Sequence, residues 1–95
     1  MKSDSSSLKE AIDDLLNVYQ LSSKLDEHRL ISSWEKIMGK MIANHTKEIF
    51  IKDKTLIVKL DSSVLREELT YAKSKMIKML NEAVGKDVVG EIIFR

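Results

Sequence analysis

The chain has no cysteine, no proline and only three glycines, and aromatic residues make up 5% of its 95 positions. Without cysteine there is no disulfide scaffold, thiolate zinc site, iron–sulfur cluster or thiol nucleophile. Charge of neither sign prevails. The net value of +1 removes the simplest argument for nucleic-acid binding, a strongly basic domain. No apolar run approaches the ~20 residues that span a bilayer, so no membrane partner is expected. The start, Met1 to Ser7, is polar and lacks the apolar core of a secretory leader, which makes the cytoplasm the expected compartment. What is present is 43% hydrophobic and 33% charged residues, a mixture that argues for one folded domain rather than a disordered chain.

Residues 1–6 read as a flexible polar terminus and 7–95 as a single domain. Ser7-Leu8-Lys9-Glu10 has the spacing of a capping box. Behind it Leu8, Ala11, Ile12, Leu15, Leu16 and Tyr19 recur at helical spacing. Gln20 to Ser23 reads as a short polar connection. A second helical stripe follows: Leu30, Ile31, Trp34, Ile37, Met38, Met41 and Ile42. Asp26 and Glu27 stand in its first turn, where the helix dipole favours negative charge. Gly39 interrupts this stripe without shifting its phase. Either the helix breaks there or another backbone packs close, and the unbroken stripe favours one bent helix reaching Ala43.

The period then falls to two. Glu48–Lys52 and Thr55–Leu60 read as strands joined at Asp53-Lys54, a tight hairpin without the usual glycine. Asp61-Ser62-Ser63 is a helix-start cluster. A stripe from Val64 to Val84 reads as one long helix stopped by Gly85, and Val88–Phe94 as a closing strand. The order is α-α-β-β-α-β, which suits an α+β domain with a three-stranded sheet and helices on one face.

Catalytic constellations cannot be written down. His28 and His45 do not have metal-ligand spacing. The carboxylate pairs Asp13-Asp14, Asp26-Glu27 and Glu67-Glu68 are adjacent on helices and diverge. Three scattered glycines form no phosphate loop. No catalytic, metal or cofactor residue is therefore expected, and the protein is read as non-enzymatic. The distribution of charge says more than its sum. Residues 1–35 carry four basic and seven acidic side chains, whereas residues 36–60 carry six basic and two acidic. Lys36, Lys40, Lys47, Lys52, Lys54 and Lys59, with Lys73 further on, are candidates for contact with DNA phosphates. The plainer reading is a solvated lysine rim protecting strand edges, and no aromatic is interleaved for base stacking. DNA binding is accordingly expected to be weak and salt-dependent. Trp34 is read as core, with a partner anchor as the alternative. Ile57, Ile77 and Ile93 fall off their stripes and are candidates for an exposed partner patch. The acidic side of the first helix, Glu10, Asp13 and Asp14, is expected to dock within the molecule, with a second copy or another protein as the alternatives.

Trp34-Glu35-Lys36-Ile37-Met38-Gly39-Lys40-Met41-Ile42-Ala43-Asn44-His45-Thr46 resembles the tryptophan–glycine–histidine signature that opens DciA-like domains of bacteria. Lys54–Ser63 looks like that family's second strand and serine helix entry, Glu68-Leu69 like an acidic-apolar pair in the helix, and Ile92–Arg95 like its closing strand. The similarity covers residues from about 8 to 95. It implies a KH-like fold and, as family signature residues, Trp34, Gly39 and His45. It also implies a role as loader or operator of the DnaB-type replicative helicase, with some members binding DNA. Asp53-Lys54 departs from the family's glycine-containing turn. Gly39-Lys40-Met41-Ile42 lacks the second glycine of the Gly-x-x-Gly loop with which nucleic-acid-binding KH domains clamp a backbone. The expected function is a replication accessory that binds or helps load the helicase. The alternatives are a stand-alone KH-like nucleic-acid-binding module and a homo-oligomeric interaction domain.

Overall fold

A computed structural model describes residues 4–95, with side chains from Ser7 onward. The flexible segment expected over residues 1–6 thus falls, for residues 1–3 and the side chains of 4–6, outside the described residues. Helices α1 (Asp4–Ser32), α2 (Trp34–Met38) and α3 (Lys40–Asn44) precede strands β1 (Thr46–Lys52) and β2 (Thr55–Leu60). Helices α4 (Ser63–Thr70) and α5 (Lys73–Val84) follow, and strand β3 (Glu91–Phe94) closes the chain. The fold is α+β, and the order α-α-β-β-α-β holds with the second and third helical segments each broken once. The arrangement is compatible with the KH-like fold that the resemblance implies.

Several boundaries differ from the expectation, each for a local reason. Helix α1 runs unbroken through Gln20–Ser23. That stretch has no glycine or proline, and serine opposes helix by only about half a kilocalorie per mole. Ser7 and Glu10 are therefore interior positions rather than a capping box, and Asp26 and Glu27 lie far from a helix start. The chain turns instead at Ser33, whose hydroxyl donates to the Arg29 carbonyl. The expected 63–84 helix breaks at Tyr71-Ala72. Thr70 Oγ1 donates to the Arg66 carbonyl, and the amides of Tyr71 and Ala72 bond three residues back rather than four, which tightens and ends the α4 turn. Val88 to Gly90 are not strand.

Gly39 breaks the helix outright. Its φ of 93° and ψ of 164° lie in a region that is essentially open only to glycine. A Cβ there would meet nothing within 4 Å, so close backbone approach is not the reason for the glycine. Gly39→Ala is therefore expected to act through backbone strain alone, at about 1–3 kcal/mol. Thermal unfolding should show a midpoint lower by on the order of 10 °C for a domain this size. An unchanged midpoint would mean that the break does not need glycine.

In the sheet, β2 is central, antiparallel to β1 and parallel to β3. The parallel pair needs a crossover, and α4–α5 supply it. Asp53 and Lys54 both have positive φ, 50° and 61°, as a two-residue type I′ hairpin requires. Gly85 closes α5 in the left-handed conformation, and Ser62 Oγ accepts from the Leu65 amide at the start of α4. One face of the sheet, with Leu56, Val58, Leu60 and Ile92, is buried against Leu30, Trp34, Met76 and Leu80 of the helices. Val64 and Met41, which share the phase of their stripes, are 67% and 61% exposed.

The packed body does not include all of α1. The molecule measures 67 × 22 × 20 Å with a radius of gyration of 17.8 Å, against ~12 Å for a compact chain of this length. The C-terminal part of α1 packs on α5 and buries Leu30. From Ser7 to Leu21 every α1 residue is exposed.

Candidate functional site

The tryptophan–glycine–histidine residues form one joint. Trp34 opens α2 and is 4% exposed. Its Nε1–H donates to Thr46 Oγ1 at 3.0 Å, and that hydroxyl donates to the Ile42 carbonyl at 2.8 Å. The indole thus ties α2 to the end of α3 and the first residue of β1. Gly39 supplies the corner between α2 and α3. His45 closes α3 and reaches across the sheet exit. Its Nδ1–H donates to Asp61 Oδ1 at 2.6 Å, while the Asp61 amide donates to the His45 carbonyl at 3.0 Å. Lys47, the extra residue in the β1 irregularity between Thr46 and Glu48, adds a second contact to Asp61 at 3.2 Å.

The hydrogen bond from His45, followed by that from Lys47, holds the Asp61 carboxyl below the usual aspartate range, since both favour the charged form. A depressed carboxylate contributes its stability above the unfolded pKa and loses it as pH falls through the folded one. Asp61→Asn is therefore expected to be slightly less stable than the wild type at neutral pH. In acid titrations of unfolding the two should converge as the pH falls through the lowered pKa. A difference that stays constant through the acid limb would show that Asp61 acts through packing instead.

The candidate lysines stand on several elements. Lys52, Lys54 and Lys59 stand on the β1–β2 hairpin, exposed, and pair with no carboxylate among the described residues. Lys36 and Lys40 belong to α2 and α3. Lys47 is engaged by Asp61, and Lys73, half-buried, lies 4.0 Å from Glu91. The isoleucines separate as well. Ile77 packs against the core from α5. Ile57 and Ile93 are adjacent in register, with Phe50 on the other side of Ile57, but Ile57 is only 8% exposed and Ile93 41%. The exposed three-isoleucine patch is thus not formed. Trp34, being buried, offers no exposed ring as an anchor. Glu10, Asp13 and Asp14 are exposed and bridge to no hairpin lysine among the described residues, so the expected docking of the acidic helix within the molecule is not what the structure shows.

Two features were missed. The row Phe50–Ile57–Ile93 crosses the sheet face opposite the helices, flanked by Lys52, Lys59 and Arg95; period-two alternation places all of them on that face once the hairpin register is known. Asn81 clamps the loop after α5: its Oδ1 accepts from the amides of Val88 and Val89, and its Nδ2 donates to the Val89 carbonyl. A cleft of about 240 Å³ between α1 and this loop is lined by Tyr19, Ser22, Asp26, Lys54 and Lys86. Its buried carboxylate, Asp26, already accepts from Lys86 Nζ at 3.1 Å. Among the described residues no three histidine, aspartate or glutamate side chains stand together as a metal-ligand set.

The polar groups of the signature therefore hold backbone segments in place, and the exposed hairpin lysines lie outside them. This is the architecture of a small α+β domain. The chain belongs to the DciA family: the family model described as Dna[CI] antecedent, DciA, matches residues 7–94. A UPF0232 protein of Corynebacterium glutamicum (strain R) is 33% identical over 61 residues, which cover 64% of this chain and 34% of that relative. The match thus spans about a third of the curated relative's length. No described helix is long and apolar enough to cross a membrane.

Proposed function

We propose that this chain is a non-enzymatic accessory of bacterial DNA replication that acts in the cytoplasm. It binds or helps load the DnaB-type replicative helicase and touches DNA weakly through the hairpin. The observation that carries the reading is the family match over residues 7–94. Residues 7–95 serve as the domain that makes both contacts. The hairpin supports the DNA part, because Lys52, Lys54 and Lys59 are exposed and unengaged where the other candidate lysines are paired or stand elsewhere.

The test has two arms. In the first, the intact chain is mixed with the cognate DnaB-type helicase and run through size exclusion. Co-elution is expected, and separate elution at micromolar concentrations would remove the helicase reading. In the second, fluorescence anisotropy follows DNA binding across a salt series. Three phosphate contacts predict a slope of log affinity against log salt of about −2 to −3. Lys54→Gly makes this arm specific. It relieves a non-glycine residue at positive φ, so the variant should melt at a higher temperature while its salt slope becomes shallower by about one. A variant that is more stable and binds DNA unchanged would take Lys54 out of the interface. DNA binding without helicase binding would favour the nucleic-acid module instead.

A further inference from the structure

The N-terminal half of α1 has an apolar face with nothing on it. Leu8, Ile12, Leu15, Leu16, Val18 and Tyr19 are between 47% and 68% exposed. At 100° per residue they fall within one arc of roughly 160°. Leu30 lies on the same arc three turns beyond Tyr19, and it is fully buried. One continuous stripe therefore docks on the body at its C-terminal end and runs off the body toward the N-terminus. Helices gain most of their stability from packing such a face, so a face of this length calls for an occupant.

We infer that the occupant is a second copy of this chain, laid antiparallel along α1. The area fits. At about 100 Å² a side chain, the stripe together with Leu25 at its edge offers on the order of 700 Å², close to the ~800 Å² that each partner contributes to a standard interface. It also exceeds the ~300–600 Å² that the largest patch on a monomer usually reaches. A stripe laid on its own copy is self-complementary under a two-fold axis.

The body sets the direction. Leu30, on the stripe's own arc, is covered by it, so a parallel pair would bring both sheet-bearing bodies to the same end and the same face, where they collide. An antiparallel pair centred on Leu15 sends them to opposite ends. Glu10, Asp13 and Asp14 are exposed and lie roughly 120° or more from the centre of the stripe, so they face solvent in either orientation.

The test is sedimentation velocity on the full 95-residue chain from about 1 to 100 μM, where an interface of this size is expected to associate. The mass should rise from 10.9 kDa to twice that value. Leu15→Glu, at a position exposed in the single chain, should stay at monomer mass with the Trp34 near-ultraviolet signal retained. Because the chain has no cysteine, single cysteines report direction. Leu15→Cys should cross-link to its copy under mild oxidation, whereas Leu8→Cys, ~21 Å from its own copy in the antiparallel pair, should not. A wild type monomeric throughout, or a dimer that survives Leu15→Glu, would overturn the pairing. Equal cross-linking at both positions would overturn its direction. Protection of this face from hydrogen exchange only on addition of the helicase would assign the stripe to that partner instead.

Discussion

Trp34→Ala is expected to lower the stability of the domain by about 4 kcal/mol, the largest single loss among the residues discussed. The side chain is 4% exposed and stands at the meeting of α2, α3 and β1. Truncating a buried tryptophan ordinarily costs ~3–5 kcal/mol, through lost transfer energy and the cavity left behind. The indole N–H also occupies Thr46 Oγ1, whose own proton goes to the Ile42 carbonyl. A chain of this length has roughly 5–14 kcal/mol in total, so the variant should still fold, but marginally. In urea its midpoint should fall by about 2–3 M at a slope near 1.5 kcal/mol per molar. Trp34→Phe keeps a ring and drops only the N–H, and it should lose about half as much. Equal losses for the two variants would place the energy in the hydrogen bond rather than in the ring volume. A consequence for partner studies follows. Weak helicase binding by Trp34→Ala would report unfolding as readily as a lost contact, so interface probes belong on exposed positions such as Lys52, Lys59 or Leu15.

The elements that were legible in the sequence are those decided by neighbours along the chain. Asp61-Ser62-Ser63 announces α4 because a serine oxygen three residues before an orphan amide can cap it. Gly85 announces the end of α5 because the left-handed position there disfavours a Cβ. The hairpin is legible from two β-rich runs two residues apart, although Asp53 and Lys54 carry positive φ without glycine. Gly39 was misread because a stripe that keeps its phase on both sides says nothing about the φ of the residue between. Tyr71-Ala72 was misread because the break turns on the Thr70 hydroxyl bonding back to Arg66, an option that every helical threonine has and few helices end on. The lysines were grouped by position in the chain, whereas the fold distributes them over three helices, a bulge and a hairpin. The acidic helix was expected to fold back on the basic hairpin because opposite charges invite it. In the structure α1 continues straight through residues 20–23 and carries Glu10, Asp13 and Asp14 away from the body.

Asn81→Ala is expected to show the second large effect, about 3 kcal/mol, and for a reason that no pattern in the sequence displays. Asn81 sits in the last turn of α5 and reads as an ordinary polar residue on a helix. Its amide instead makes three hydrogen bonds to a loop seven and eight residues on, two accepted by Oδ1 at 3.0 Å and one donated by Nδ2 at 2.8 Å. Val89 is 2% exposed, so its amide and carbonyl have little access to replacement water. Leaving such groups unpaired costs ~1–3 kcal/mol each, more than the bonds contribute net. The loop also delivers Gly90, whose amide donates to the Lys54 carbonyl at 2.8 Å, and then β3, whose parallel pairing with β2 closes the sheet. The loss should therefore spread. Hydrogen exchange in Asn81→Ala should accelerate at Val88 and Val89 and also at the β3 amides, while β1 and α1 keep their protection. Asn81→Asp separates the roles of the two ends of the amide. It retains both acceptor bonds, strengthened by charge, but sets a carboxylate oxygen where Nδ2 faced the Val89 carbonyl at 2.8 Å, two acceptors in contact, so it should recover less than half of the alanine loss at neutral pH. Recovery above that level would place most of the energy in the two acceptor bonds. Exchange that accelerates only at Val88 and Val89 would show that β3 is held by its pairing with β2 without help from the clamp.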